Sequence, residues 1–338
     1  MNFSNYSDNL LYSSFNHTND CVIFGTINGF YVYTINPFKK IISRKITGGV
    51  SIVNMLYKSN IIAFVGNDKT GLYPNNKLII WDDSKEDVIG EISFNEQILN
   101  FKLSKDIITV VVNSTIFIYN FKDLSIIRTY YTNLNNNGLC KIVGDLIIYP
   151  ANNIGEITVI NYKSNNDIKN IQCHENEIKL FTIDPSGKYL ASCSTKGTII
   201  RIYNIETANL VKELRRGSDY TKIIDLKFSS DLQYLLCSSE KGTIHIYNIL
   251  LNEDYIENYS YISYFLPEYF NSEWSIIKFY IDTITYSCFM ENDSNKIISI
   301  GSDGCFYNLS IDIEKKVGNI DTNYKFILDS ENPFDNKE

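Results

Sequence analysis

TIIRIYNI at residues 198–205 and TIHIYNI at residues 243–249 are two copies of one short pattern. Each is rich in β-branched and aromatic residues and alternates apolar with polar positions, which marks a half-buried strand. Segments of the same kind recur along the chain: CVIFGT (21–26), FYVYTI (30–35), KLIIWDD (77–83), TIFIYNF (115–121), EITVINY (156–162) and CFYNLSI (305–311). Turn signals such as Asn-Pro, Asp-Asp or Glu-Thr follow them. No stretch of comparable length shows a clean helical period, so strands with little helix are expected.

The repeat decides the architecture. Third strands of successive units fall near Tyr33, Trp81, Tyr119, Ile160, Tyr203, Tyr247 and Tyr307. Their spacing is roughly 40 residues, with one longer interval after Tyr247, and a propeller blade repeats every 40–45 or so. Trp81-Asp82 carries the Trp-Asp pair of WD repeats, and Tyr-Asn stands there at Tyr119-Asn120, Tyr203-Asn204 and Tyr247-Asn248. The expected fold is all-β, a seven-bladed WD40-type β-propeller, with blades at 11–46, 47–94, 95–132, 133–172, 173–213, 214–281 and 282–328. A two-sheet sandwich would lack a constant period over the whole chain. Residues 1–338 are expected to form a single propeller domain, because each blade needs neighbours to cover its faces. The long interval predicts an insertion in blade six at about 250–273, between TIHIYNI and WSIIKFYI.

Composition narrows the function. With 44% hydrophobic and 21% charged residues, the chain can bury a core and is not globally disordered. A net charge of −8 excludes general nucleic-acid binding and a diffuse basic membrane patch, so an anionic ligand must sit in a local pocket. The seven cysteines are scattered without a Cys-x-x-Cys pair, which predicts buried free thiols in a reducing compartment. The first residues, MNFSNYSDNL, lack a signal-peptide pattern, and no apolar run is long enough to span a bilayer. A soluble, cytosolic protein is expected. Neither a nucleophile elbow, metal-ligand spacing nor a phosphate loop before a helix occurs. Asp225 and Asp231 read as strand-end and turn residues. The expectation is a binding module without metal or cofactor, not an enzyme.

Arginine is rare: five of the 31 Lys plus Arg, and Arg201, Arg215 and Arg216 fall within one stretch of sixteen residues. Two of the three histidines, His174 and His245, flank it. A solvated strand end would account for an isolated Arg-Arg pair. Equally, the planar guanidinium fork grips phosphate through two donors. Adjacent side chains on an extended chain face opposite ways. Arg215 and Arg216 could therefore serve two pockets, one towards the preceding blade and one towards the following. Gly217 is expected to let the backbone turn sharply after them.

Leu214-Arg215-Arg216-Gly217 resembles the Phe-Arg-Arg-Gly hallmark of the PROPPIN family, the WIPI-type propellers of autophagy. The run from His174 to Ile249 looks like that family's blades five and six. It includes Gly-Thr-x-Ile-Arg at Gly197–Arg201 and Gly-Thr-x-His-Ile at Gly242–Ile246, and Leu266–Ile276 is similar to the downstream blade-six piece. The resemblance implies two phosphoinositide pockets. The first would use His174, Ser194, Lys196, Thr198, Arg201 and Arg215; the second Arg216, Ser238, Ser239, Lys241, Thr243 and His245. Implied ligands are membranes bearing phosphatidylinositol 3-phosphate and 3,5-bisphosphate. Histidines gaining charge towards pH 6 are expected to strengthen binding.

By the same resemblance the blade-six insertion dips into the bilayer through Tyr259, Tyr261, Ile262, Tyr264, Phe265 and Leu266, although Glu253, Asp254, Glu257 and Glu268 oppose an anionic surface. The implied function is membrane recruitment in autophagy or endolysosomal traffic. The protein would act as a monomer attached peripherally to autophagic, endosomal, vacuolar or plastid membranes, with an autophagy lipid-transfer protein as partner. The alternative is a WD-repeat scaffold whose arginines read an acidic or phosphorylated peptide without lipid.

Overall fold

The computed structural model describes residues 10–68, 72–164, 168–251 and 272–325. Among these, every regular element is a strand. The strands form seven sheets spanning residues 10–45, 50–93, 100–131, 141–172, 178–215, 223–280 and 285–325, here numbered one to seven. In each sheet the strands lie side by side in chain order. The fold class is a seven-bladed β-propeller. Tyr33, Trp81, Tyr119, Ile160, Tyr203, Tyr247 and Tyr307 all lie in the third strands of their sheets.

Burial follows position within a sheet. The second strand of sheet one, Cys21–Thr26, is buried throughout, whereas its outer strand, Lys39–Lys45, alternates exposed and half-buried residues. Inner strands have both faces covered and read as nearly continuous apolar runs. Lys39, Lys40 and Lys45 on the outer strand of sheet one discourage pairing with another chain.

Two compact units are distinguishable. The first holds the described residues of 10–130 with Ile300–Phe306 and 323–325. Its core gathers Ile23, Phe30, Phe64, Leu78, Phe101 and Ile108. Phe30 lies 5.7 Å from Phe64 and meets Trp81 edge-on at 6.5 Å between ring centres. The second holds the described residues of Tyr131–Ser299 with Tyr307–Thr322. Ile157, Phe181 and Tyr203 pack in one cluster there, and Tyr189, Leu214, Leu235 and Tyr247 in another. Six of the seven cysteines are buried, Cys305 is half-buried, and all are free thiols.

Two boundaries differ from the sequence reading, and both bear on the site. Arg215 ends the outer strand of sheet five, Leu210–Arg215, rather than opening blade six. Glu273–Trp274, assigned from sequence to blade six, instead adds a fifth strand to sheet five, running parallel to Leu214–Arg215. An outer strand offers a row of unused backbone donors and acceptors, and the returning chain takes them up.

Candidate anion-binding faces of sheets five and six

Two hairpin turns frame the site. Lys196-Gly197-Thr198 joins the second and third strands of sheet five, and Lys241-Gly242-Thr243 does the same in sheet six. Gly197 and Gly242 have φ of 63° and 72°, a left-handed conformation that disfavours side chains. A Cβ on Gly197 would collide with the Thr221 carbonyl, so each turn is tucked under the segment leading to the next sheet. The same construction in sheet four places His174: its backbone N–H donates to the Gly155 carbonyl at 3.0 Å.

On sheet five, Arg201 sits directly between Ser192 and Glu213, and Arg215 opposite Ile199. Strand alternation then puts Ser192, Ser194, Arg201, Glu213 and Arg215 on one face. Arg201 donates Nε to Glu213 at 2.9 Å and Nη1 to the Cys173 carbonyl at 2.9 Å. His174 Nε2 lies 3.1 Å from Ser192 Oγ. Lys196 is exposed and Thr198 half-buried in the turn. The six residues expected for the first pocket thus gather at one end of sheet five. Sequence reasoning missed Ser192 and Glu213. Ser192 was within reach of a parity count across the hairpin; Glu213 depends on how the outer strand pairs.

On sheet six, His245 sits between Cys237 and Lys278, and Thr243 lies opposite Tyr280. Ser239 Oγ and Thr243 Oγ1 are 2.8 Å apart, and His245 Nδ1 is 3.1 Å from Ser275 Oγ. Lys241 Nζ is 3.7 Å from Asp219. Ser238 does not join this group. Alternation turns it to the other face, where its hydroxyl donates to the Thr285 carbonyl of sheet seven at 2.9 Å. Ser275 and Lys278 were not foreseen, since both lie beyond the long insertion.

The two arginines differ more than their adjacency suggests. Arg215 is half-buried, on the face of Arg201. Arg216 is not a solvated strand end: it is 7% exposed. Its Nε donates to the Gly197 carbonyl at 3.0 Å and its Nη2 to the Asp219 carbonyl. Its charge is felt by His245, Cys237 and Tyr247 of sheet six. The guanidinium has five donors, so it can brace two loops and still turn an N–H towards a ligand. Gly217 also departs from expectation. Its φ is not positive, and a Cβ there would meet open space, so the turn does not require glycine.

Neither histidine carries charge near neutrality. Burial, followed by the Arg201 charge, pushes His174 down to about 4. Burial, followed by the charges of Lys278 and Arg216, does the same to His245. The expected gain of histidine charge between pH 7.5 and 6 is therefore absent in the ligand-free protein. At those pH values the rings act as neutral hydrogen-bonding groups.

Tyr259, Tyr261, Ile262, Tyr264, Phe265 and Leu266 lie outside the described residues. The chain on either side of them is fixed to sheet five. Lys212, 3% exposed, reaches the Ile249 carbonyl at 3.1 Å on one side and Glu273 at 3.0 Å on the other. Ser272 Oγ donates to Glu213 at 2.9 Å, so one carboxylate touches both Arg201 and the returning chain.

Known proteins share the family profile and the fold. The PROPPIN family profile matches residues 10–281. Autophagy-related protein 18e of Arabidopsis thaliana is 34% identical over 301 residues, covering 86% of this chain and 80% of that protein. Autophagy-related protein 18 of Dictyostelium discoideum is 30% identical over 248 residues, 72% of this chain and 66% of that protein. Among solved structures, Kluyveromyces lactis Hsv2 superposes with a TM-score of 0.79 at 24% identity, covering 94% of this chain and 99% of that one. A complex of KlAtg21 with the coiled coil of AgAtg16 superposes at 0.74 and 22% identity, over 94% of this chain and all of that one. With Arg215-Arg216 between two faces of hydroxyl, imidazole and cationic groups, and with the family match running through both, the chain belongs to the PROPPIN family, the phosphoinositide-binding β-propellers of autophagy.

Proposed function

We propose that this protein recruits itself to autophagic or endolysosomal membranes by binding the headgroups of phosphatidylinositol 3-phosphate and phosphatidylinositol 3,5-bisphosphate at the two faces flanking Arg215-Arg216. The observation that carries the reading is the division of two adjacent arginines between two faces. Arg215 joins His174, Ser194 and Arg201 on one; Arg216 joins Ser239, Thr243 and His245 across the other. Guanidinium and ammonium groups neutralise phosphate, while hydroxyls and neutral imidazoles supply directed hydrogen bonds. Two sites on one rim make the second contact intramolecular, so weak headgroup affinities multiply on a membrane. The aromatic and aliphatic residues Tyr259–Leu266 would add apolar burial in the bilayer. The coiled-coil complex of KlAtg21 favours an autophagy protein partner, and a lipid-transfer protein remains our proposal for it.

A liposome co-sedimentation series across phosphoinositide identities tests this. Vesicles bearing either lipid should retain the protein, and changing Arg215 and Arg216 together to Thr should abolish retention while the chain stays folded. Retention that ignores lipid identity, or survives the double change, rejects the pocket assignment. Binding of a phosphorylated peptide in place of lipid would favour the scaffold reading.

A further inference from the structure

Exposed aromatic rings collect beside the arginine pair. Among the described residues, the tyrosines and tryptophan exposed by half or more are Tyr131, Tyr220, Trp274 and Tyr280, at 80%, 70%, 53% and 70%. Three of these four adjoin the two faces. Trp274 pairs directly with Arg215 on the added edge strand of sheet five. Tyr280 lies opposite Thr243 on the outer strand of sheet six. Tyr220 precedes Thr221, whose N–H donates to the Lys196 carbonyl at 3.3 Å. Lys278, across from His245, places its ammonium 5.9 Å from the Trp274 ring centre.

Burial is where such rings gain most, and a folded chain that leaves three in water beside the two faces has left a surface for something else. Indole and phenol rings have an apolar body and a polar tip, which suits the boundary between lipid headgroups and acyl chains. The exposed Lys196, Lys222, Lys241 and Lys278, with Arg201, Arg215 and Arg216, outnumber the carboxylates Glu213, Asp219, Glu240, Glu273 and Asp282 of the same edges. In a chain of net charge −8, this local excess fits an anionic lipid surface.

We propose that Tyr220, Trp274 and Tyr280, with Lys278, form an interfacial contact surface for a phospholipid bilayer, built on the edges of sheets five and six and separate from the apolar residues at 259–266. The inference rests on the headgroup reading above: phosphates held at Arg215 and Arg216 bring these rings to headgroup depth.

The chain has two tryptophans, Trp81 and Trp274, so Trp274 is a native probe once Trp81 is changed to Phe. Phosphatidylcholine vesicles doped with phosphatidylinositol 3-phosphate should shift its emission to the blue, and lipids brominated on the acyl chain should quench it. Soluble inositol 1,3-bisphosphate should bind without that shift. Changing Tyr220, Trp274 and Tyr280 to Ser should weaken vesicle binding about tenfold or more at unchanged affinity for the soluble headgroup, since only apolar burial is removed. Tyr131→Ser on sheet three should change neither. If the vesicles bind with no shift or quenching, the rings stay in water and the inference fails while the headgroup reading stands. A shift produced by the soluble headgroup or by a phosphopeptide alone would make them pocket walls and overturns it. Absence of binding to both vesicle and soluble headgroup rejects the functional reading and this one with it.

Discussion

Sheets five and six place different chemistry in the same slot. Two residues before the third-strand tyrosines, Tyr203 and Tyr247, stand Arg201 and His245. Directly across on the outer strand stand Glu213 in sheet five and Lys278 in sheet six. In the first, a guanidinium is matched to a carboxylate 2.9 Å away. In the second, a neutral imidazole lies among the charges of Lys278 and Arg216. On the proposed reading, a phosphate would compete with Glu213 for Arg201 on one face and would find Lys278 across the strand on the other. Near-identical strand sequences therefore do not make equivalent pockets, because the partner strand sets the charge.

The largest difference should appear between the two arginines themselves. Arg216→Thr removes a buried group that satisfies the Gly197 and Asp219 carbonyls. It should cost about 1–3 kcal/mol of stability as well as membrane binding. Arg215→Thr should weaken binding with a smaller loss, being half-buried at a strand end. Urea midpoints of the two variants, measured beside vesicle retention, check this; equal midpoints would mean that Arg216 contributes to binding alone.

A smaller effect separates the counter-charges. Glu213→Gln keeps an acceptor for Ser272 but removes the charge facing Arg201, and soluble inositol 1,3-bisphosphate should bind several-fold more tightly. Lys278→Gln should loosen the second face by a similar factor. Charge changes at the margin of an ionic site alter affinity modestly, and screening by salt should shrink both. Calorimetry decides the sign. Weaker binding by Glu213→Gln would show that Glu213 serves to aim Arg201 rather than to compete for it.

The smallest expected response is to pH, and its direction is the opposite of what the histidine count suggests. His174 and His245 stay neutral from pH 7.5 to 6. A phosphomonoester loses its second proton near pH 6, so binding should weaken slightly as the pH falls. Stability carries its own signature. Both histidines titrate lower in the folded chain than unfolded, so the unfolded chain takes up protons first on acidification. Stability should be full above about 6.5, the unperturbed histidine value, and decline as the pH falls towards the folded value near 4. Urea midpoints at neutral and acid pH should show a flatter acid limb in His174→Gln and His245→Gln. Vesicle binding that rises steeply towards pH 6 would mean that bound phosphate recharges the rings.

The blade repeat was legible because a strand's signal is local. Alternation, β-branched residues and turn dipeptides lie within a few positions of one another, and seven copies make the period plain. Arg-Arg-Gly was legible for a similar reason: two residues that are rare in this chain stand side by side. The added strand Glu273–Trp274 was not, because two residues carry no periodic signal and their partner lies across a long insertion.

By itself, then, the sequence determined the class of fold and the third strands, and it set Arg201, Arg215 and Arg216 within sixteen residues, flanked by His174 and His245. The tertiary structure alone decided that Arg216 is buried, that Ser238 faces sheet seven, that Glu213 opposes Arg201 and that both histidines are held neutral. Each of these depends on which strand lies across or which sheet lies above. Desolvation and pairing are properties of neighbours in space, and the linear pattern does not encode them residue by residue.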